Sequence, residues 1–260
     1  MYKFFYNIKK YYKYAIRSAK AELKSEVADS YLNWLWWIIE PFSFMLIYTF
    51  VFGVIFKNNT PYFASFVFIG LTIWEFFNRM ISGSVKLIIN NRDLVTKVYI
   101  PKYILLLSKS FTYLFKMGIS LIITFDLMIY QHVPFTWYIV FLIPIIIVIY
   151  ILSFGLGLIL MNLGVTLNDL GNLTNIALKM LFYLSGVFYN INTRLQGRLR
   201  FILLRVNPVA FIMHQMRNIL LYGQLPNFAG LGIWLLISII LCVIGIHIIH
   251  KNENSYAKVI

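Results

Sequence analysis

Trp137-Tyr-Ile-Val-Phe-Leu-Ile-Pro-Ile-Ile-Ile-Val-Ile-Tyr-Ile-Leu-Ser-Phe-Gly-Leu-Gly-Leu-Ile-Leu-Met161 contains no charged residue. About 20 apolar residues in helical form cross the hydrocarbon of a bilayer, so this run reads as a membrane span. Five similar stretches flank it, at about Asn33 to Phe56, Tyr62 to Ile81, Ile104 to Tyr130, Leu173 to Tyr189 and Gly230 to His250. The one from Leu173 is near the minimum length for crossing. Over 260 residues the chain is 60% hydrophobic and 12% charged, against about 25% charged in a soluble domain. These figures exclude a soluble fold and predict an all-α polytopic membrane protein with six transmembrane helices. The expected organisation is a helix over 1–32, a six-span domain over 33–250 and a tail over 251–260. No internal repeat or low-complexity tract interrupts it.

The residues before the first span have their own pattern. At 100° per residue, Phe4, Phe5, Ile8, Tyr11, Tyr12, Ala15, Ile16, Ala19 and Leu23 share an arc of about 140°, and Lys9, Lys10, Lys13, Arg17, Lys20 and Lys24 fill the adjoining arc of about 100°. That pattern predicts an amphipathic helix in the headgroup plane, with apolar side chains down and basic ones among phosphates. The alternative is a helix packed on a partner protein. This Lys- and Tyr-rich start lacks the apolar core of a cleavable signal peptide. Trp34, Trp36 and Trp37 open the first span as an interfacial aromatic belt.

Lys and Arg outnumber Asp and Glu by 23 to 9, a formal net charge of +14. Dispersal of these charges between apolar spans argues against nucleic acid. It fits the positive-inside bias of membrane proteins, or a polyanionic cargo and anionic headgroups. With both termini in the cytoplasm, thirteen Lys and Arg lie inside and six outside, the remaining Arg79, Lys109, Lys116 and Lys179 falling within spans. The outer region 190–229 runs against the bias, holding Arg194, Arg198, Arg200, Arg205 and Arg217. Its segment from Pro208 to Tyr222 is apolar and helical in pattern but too short to cross, and Gly223 and Pro226 stop it. A short re-entrant helix is expected there, a lid on an exit. Two roles stay open for Arg194, Arg198, Arg205 and Arg217: meeting an emerging anionic polymer, or holding the lid.

Ionisable side chains within spans face protein or water. Glu75 and Arg79 stand four apart in acid-first order, a self-compensating pair or the lining of a polar path. Lys109, Thr112, Lys116 and Ser120 share an arc of about 80°, pointing one polar stripe at the bundle interior, with Glu40 or Asp126 as possible partners. Glu40-Pro41 frees a backbone carbonyl and offers a kink. Catalytic patterns are missing. The four His are scattered, and no metalloprotease His pair, nucleophile elbow or phosphate loop occurs. Gly155-Leu-Gly157 reads as small-residue helix packing. Cys242 has no partner cysteine and reads as a small core residue. The chain is therefore expected to be no enzyme by itself and to hold no metal.

One loop carries a more specific signal: Asn90-Asn-Arg-Asp-Leu-Val-Thr-Lys-Val-Tyr-Ile-Pro101-Lys102. It resembles the cytoplasmic signature of the membrane subunits of type 2 ABC polysaccharide exporters. Further matches follow in family order: Trp36-Trp37 with Glu40-Pro41, Gly70-Leu71 with Trp74, Phe76 and Phe77, Leu167-Asn-Asp169, and Asn207-Pro208 with Arg217 and Gly223. Within the family the chain is most similar to the wall teichoic acid translocation permeases, with O-antigen permeases close behind. Many relatives have Arg-Asp where this chain has Asn168-Asp169.

The resemblance implies a homodimer in the cell (plasma or inner) membrane, bound to two copies of a nucleotide-binding ATPase subunit that carries ATP and Mg; no cofactor is expected on this chain. It places coupling to the ATPase in the loop 86–103, at Asn91, Arg92, Asp93, Leu94, Val95, Lys97 and Val98, together with Asn168 and Asp169. Polar Asn residues would cap the coupling helix, and Leu94, Val95 and Val98 would supply its buried face. The cargo would be an undecaprenyl-diphosphate-linked glycan, teichoic acid first and O-antigen, other polysaccharides or small lipids as alternatives. Its diphosphate would meet Lys9, Lys10, Lys13 and Arg17. Glu40, Glu75, Arg79, Lys109 and Lys116 would be candidates for a polar pathway.

Overall fold

The computed structural model describes residues 2–28, 31–55, 57, 60–194, 196–253 and 256. Phe56, at the end of the first expected span, and Lys258, in the tail, lie outside the described residues. In chain order the helices are α1 (Tyr2–Val27), α2 (Trp36–Tyr48, continuing as a π-helical turn Thr49–Ile55), α3 (Phe63–Val85), α4 (Leu87–Asn90), α5 (Arg92–Lys97) and α6 (Tyr103–Tyr130). There follow α7 (Leu142–Thr166, preceded by a 3-10 turn Trp137–Phe141), α8 (Leu170–Leu184), α9 (Ile191–Arg194), α10 (Gly197–Val206), α11 (Pro208–Leu220) and α12 (Phe228–Asn252).

Among the described residues, five helices are long and apolar enough to cross a membrane: Trp36–Ile55, Phe63–Val85, Tyr103–Tyr130, Trp137–Thr166 and Phe228–Asn252. The sixth expected span is α8, with 15 residues. At 1.5 Å per residue it rises about 22 Å, short of the roughly 30 Å hydrocarbon. It runs along the second half of α3, from Gly171 beside Lys86 to Phe182, whose ring lies 5.0 Å from that of Trp74. The chain then turns at Ser185 to Tyr189 instead of continuing outward.

α3 is the hub. Of its span, 78% is buried, against 6% for α2. α6 and α7 pack along it, α11 covers its first turns, and α2 and α8 flank its remaining side. The spans α7 and α12 form the longest seam. Small residues make it close: a Cβ on Gly155 would lie 2.8 Å from the Cys242 backbone nitrogen, and one on Gly245 2.6 Å from Cβ of Leu158. Cys242 is a member of this seam, its thiol donating to the carbonyl of Ile151 at 3.3 Å. In a bilayer, where lipid tails are as apolar as Leu, such close backbone approach is what brings helices together.

Both described chain ends lie with α4 and α5. Asn7 Nδ2 donates to the Tyr103 hydroxyl at 2.7 Å, His250 stacks edge-on against that same Tyr103, and the Tyr256 hydroxyl donates to Asn162 Oδ1 at 2.7 Å. The opposite end is built by the loop after α6 and by α9 to α11. Phe141 against Phe228 closes it, with ring centroids 5.1 Å apart.

Candidate functional site

The polar stripe on α6 is answered by α1. Lys109 Nζ bonds Glu22, whose second oxygen accepts from Thr112 at 3.4 Å, and Lys116 Nζ lies 2.6 Å from Glu26. The expected partners Glu40 and Asp126 are not the ones used. α1 is laid along the first half of α6, with Phe4 on Tyr103 and the Ala15 carbonyl accepting from Ser108 at 3.2 Å. It has three sectors rather than two. Ala15 and Ala19 are buried, while Phe5, Tyr12 and Ile16 stay exposed between that packed face and the exposed Lys9, Lys10, Lys13 and Arg17.

The pairing makes a checkable prediction. Lys116→Glu sets two carboxylates against each other in a half-buried place and should destabilise the protein by about 2 kcal/mol. The charge-swapped double variant Glu26→Lys/Lys116→Glu should recover most of the loss in the thermal transition of the solubilised protein.

A second charged group faces outward from the spans. Arg79 Nε donates to Glu75 at 3.2 Å, and Nη2 donates to Glu40 of α2 at 3.4 Å. Glu75 and Arg79 are thus the expected pair, with Glu40 as a third member. All three stand on a narrow cleft between α2, α3 and α6, with Trp37, Tyr113 and Lys116. Lys109 lies instead on a neighbouring polar cavity beneath α1, together with Glu22, Asn90 and Asn91.

The segment after α3 forms the two short helices α4 and α5. Asn91 precedes α5, but its side chain does not cap it: Nδ2 donates back to the Leu87 carbonyl at 2.8 Å, closing α4 instead. Val95 is turned into the protein's own core and Leu94 is half-buried. Arg92, Asp93, Lys97, Val98 and Tyr99 are exposed, and Asp93 pairs with Lys97 at 3.8 Å. The apolar surface available here is therefore Val98 and Tyr99, with Ile89 of α4. Asn168 and Asp169 are exposed at the same end, since Gly171 follows beside Lys86.

At the opposite end α11 begins as its sequence dictates. Asn207 Oδ1 accepts from the backbone of Val209 and Ala210 at 3.0 and 3.1 Å, and Pro208 occupies the first turn, where no donor is missed. Gly223 follows the helix at φ +56°, where its close neighbour Thr136 also leaves no room for a Cβ. Arg217 is buried. Nε donates to the Phe66 carbonyl at 3.1 Å, Nη1 and Nη2 donate to the Gly186 and Val187 carbonyls at 2.8 Å, and the guanidinium stacks 3.4 Å over the Phe66 ring. Burial lowers its pKa to about 9, so it keeps its proton at neutral pH. Arg194, Arg198 and Arg205 are exposed.

A buried Arg thus holds a short helix against the hub, and an exposed two-helix segment lies at the far end. The model of one family, ABC-2 type transporter, matches residues 16–221. The chain belongs to the ABC-2 type transporter family. It is a multi-pass membrane protein. Three similar proteins cover nearly its whole length. It is 31% identical over 246 residues to the O-antigen export system permease protein RfbA of Myxococcus xanthus, covering 94% of each chain. To the protein of the same name from Klebsiella pneumoniae it is 26% identical, covering 92% of each. To the polysialic acid transport protein KpsM of Escherichia coli it is 22% identical, covering 90% of this chain and 91% of the relative. The first three-quarters of the ABC-2 match includes α1's second half, both charged groups and the α4–α5 segment; α11 closes it.

Several residues of this ABC-2 chain escape a reading of the sequence. Glu22 and Glu26 lie outside the spans, although their four-residue spacing put both on one face of α1. Arg200 and His214 stand in no recognisable motif, yet they lie together against a cavity between α10 and α11. The signal available was compositional: region 190–229 contains five Arg and no Asp or Glu.

Proposed function

We propose that this chain is the membrane subunit of an ATP-driven exporter of a lipid-linked polysaccharide of the O-antigen kind, working as a homodimer with two copies of a separate ATPase subunit. The observation that carries the reading is on α8. Asn172, Asn175, Lys179 and Tyr183 are all exposed and share an arc of about 80° on a helix at membrane depth. Lys at mid-bilayer costs about 2.5–3.5 kcal/mol against lipid, which favours a water-lined path or a second copy opposite this stripe. Largely uncovered α2, with Tyr48 near Phe188 and Glu40 on its flank, continues the same polar and aromatic surface. A path between two such faces suits a hydroxyl-rich polymer: amides bond its hydroxyls and flat rings let it slide.

The named relatives favour an O-antigen cargo over the teichoic acid expected from the sequence; none of the three carries a teichoic acid in its name. α1 supports the interfacial role, since its exposed Phe5, Tyr12 and Ile16 lie next to its basic sector and would sit in headgroups with both termini cytoplasmic. There Lys9, Lys10, Lys13 and Arg17 would meet the lipid diphosphate. Val98 and Tyr99 would dock the ATPase, with Arg92, Asp93 and Lys97 around them. ATP and Mg would then belong to the partner chain.

The test is co-purification with the ATPase subunit and measurement of hydrolysis against lipid-linked glycans. Stimulation by an O-antigen lipid supports the reading, and stimulation by a teichoic acid lipid alone would return the cargo to that class. If no ATPase associates, the reading fails. Val98→Asp should reduce assembly and ATPase activity about tenfold or more, the scale of losing one interface anchor.

A further inference from the structure

On α10, Arg200, Phe201, Leu204 and Arg205 share one arc and line, with α11, a cavity of about 600 Å³, while Ile202 and Val206 lie on the helix's other side. From α11, His214, Gln215 and Asn218 reach the same space at helical spacing, and Asn192 completes the wall. The volume falls in the range of small-molecule sites.

The chemistry of this wall is one-sided. Among the described residues neither Arg200 nor Arg205 has a carboxylate partner; Arg205 only stacks 4.4 Å over Phe201. Region 190–229 supplies no Asp or Glu to pair with them. Asn192 meets Nε2 of His214 at 3.1 Å with one end of its amide, and the other end is buried with no partner. Turning the amide over exchanges the two ends without pairing both. A buried amide end left without a partner is costly. His214 stays neutral there: burial, then Arg217 and Arg200, push its pKa down to about 4, so it adds a hydrogen-bonding ring without a further cation.

We propose that the α10–α11 cavity is a binding site for an acidic sugar unit of the transported glycan, its phosphate or carboxylate held between Arg200 and Arg205 and its hydroxyls bonded by Asn192 and Asn218. This rests on the exporter reading above and adds what that reading lacks, a place where this chain distinguishes charged from neutral polymer. Anionic lipid is the less suitable occupant. Both Arg side chains line the cavity together with the polar Asn192, Gln215 and Asn218, whereas the apolar Ile202 and Val206 lie on the other side of α10.

The experiment has two arms. In the first, the full chain in phosphatidylcholine nanodiscs is titrated with methyl glucuronide, glycerol phosphate and methyl glucoside. Binding of either anion and much weaker binding of the glucoside is expected, with Arg200→Gln/Arg205→Gln weakening it about tenfold or more; which anion binds more tightly distinguishes carboxylate from phosphate. Equal affinity for the glucoside, no binding, or loss of binding when phosphatidylglycerol is added to the disc would overturn the site. In the second arm the chain and its ATPase export an acidic or a neutral glycan. The double variant should slow export of the acidic glycan alone. Equal slowing of both, or of neither, would overturn the proposal while leaving the exporter reading intact. A wild-type complex that exports neither glycan overturns the exporter reading, and the nanodisc titration still decides the site.

Discussion

Arg217→Ala is expected to lower the thermal transition of the solubilised protein by roughly 10 °C. Three backbone carbonyls, of Phe66, Gly186 and Val187, take hydrogen bonds from this one guanidinium, and they belong to α3 and to the turn after α8. Removing the side chain leaves all three without that partner in a buried place. Losing one member of a buried charged network costs about 3–5 kcal/mol. Arg217→Lys should recover only a small part, because a single ammonium lacks the fixed fork that reaches three acceptors at once. The packing is equally demanding from the other side. A Cβ on Gly70 would stand 2.5 Å from Nη2 of Arg217. Recovery of wild-type stability in Arg217→Lys would show that charge alone, not the fork, holds α11 to the hub.

Gly164→Ala should be the most damaging of the glycine replacements. Near the end of α7, a Cβ at this position would overlap the carbonyl oxygen of Val85, the last residue of α3. The obstacle is backbone, so no rotamer change relieves it, and α7 must move away from the hub. Overpacking typically costs about 1–3 kcal/mol and more where backbone is displaced. The same seam leads into α4 and α5, so the displacement should reach that segment as well. Gly118→Ala and Gly232→Ala are the controls. Neither position has an atom within 4 Å of the new Cβ, and each should stabilise its helix by up to about 1 kcal/mol. Folded yield and thermal transitions of the three variants, measured side by side, give the ranking. Equal behaviour of all three would mean that α7 and α3 are not in close contact.

Much of the fold was legible because its signals are local. An uncharged run such as Trp137 to Met161 must be a span, since length and apolarity decide that without reference to the rest of the chain. Asn207-Pro208 and Gly223 fixed the limits of α11 in the same way, through a side-chain cap, a missing donor and a left-handed turn. Fifteen residues of α8 were harder. Its apolar pattern runs on to Tyr189, but Ser185 and Gly186 are drawn into the turn that Arg217 holds, so composition overstated the helix.

The partners of the buried charges were not legible. The arc of Lys109, Thr112, Lys116 and Ser120 announced that α6 has a polar side, and nothing in it named Glu22 and Glu26, which lie 87 residues or more earlier in the chain. Likewise the Arg count of region 190–229 was plain, while its division into a buried anchor, Arg217, and two cavity-lining cations, Arg200 and Arg205, with no carboxylate partner among the described residues, was not. Helical periodicity is set by the backbone of one segment and can be read residue by residue. Which polar face meets which is set by the packing of whole helices, so the sequence by itself determined the spans and their polar stripes, and only the tertiary structure decided what each stripe holds.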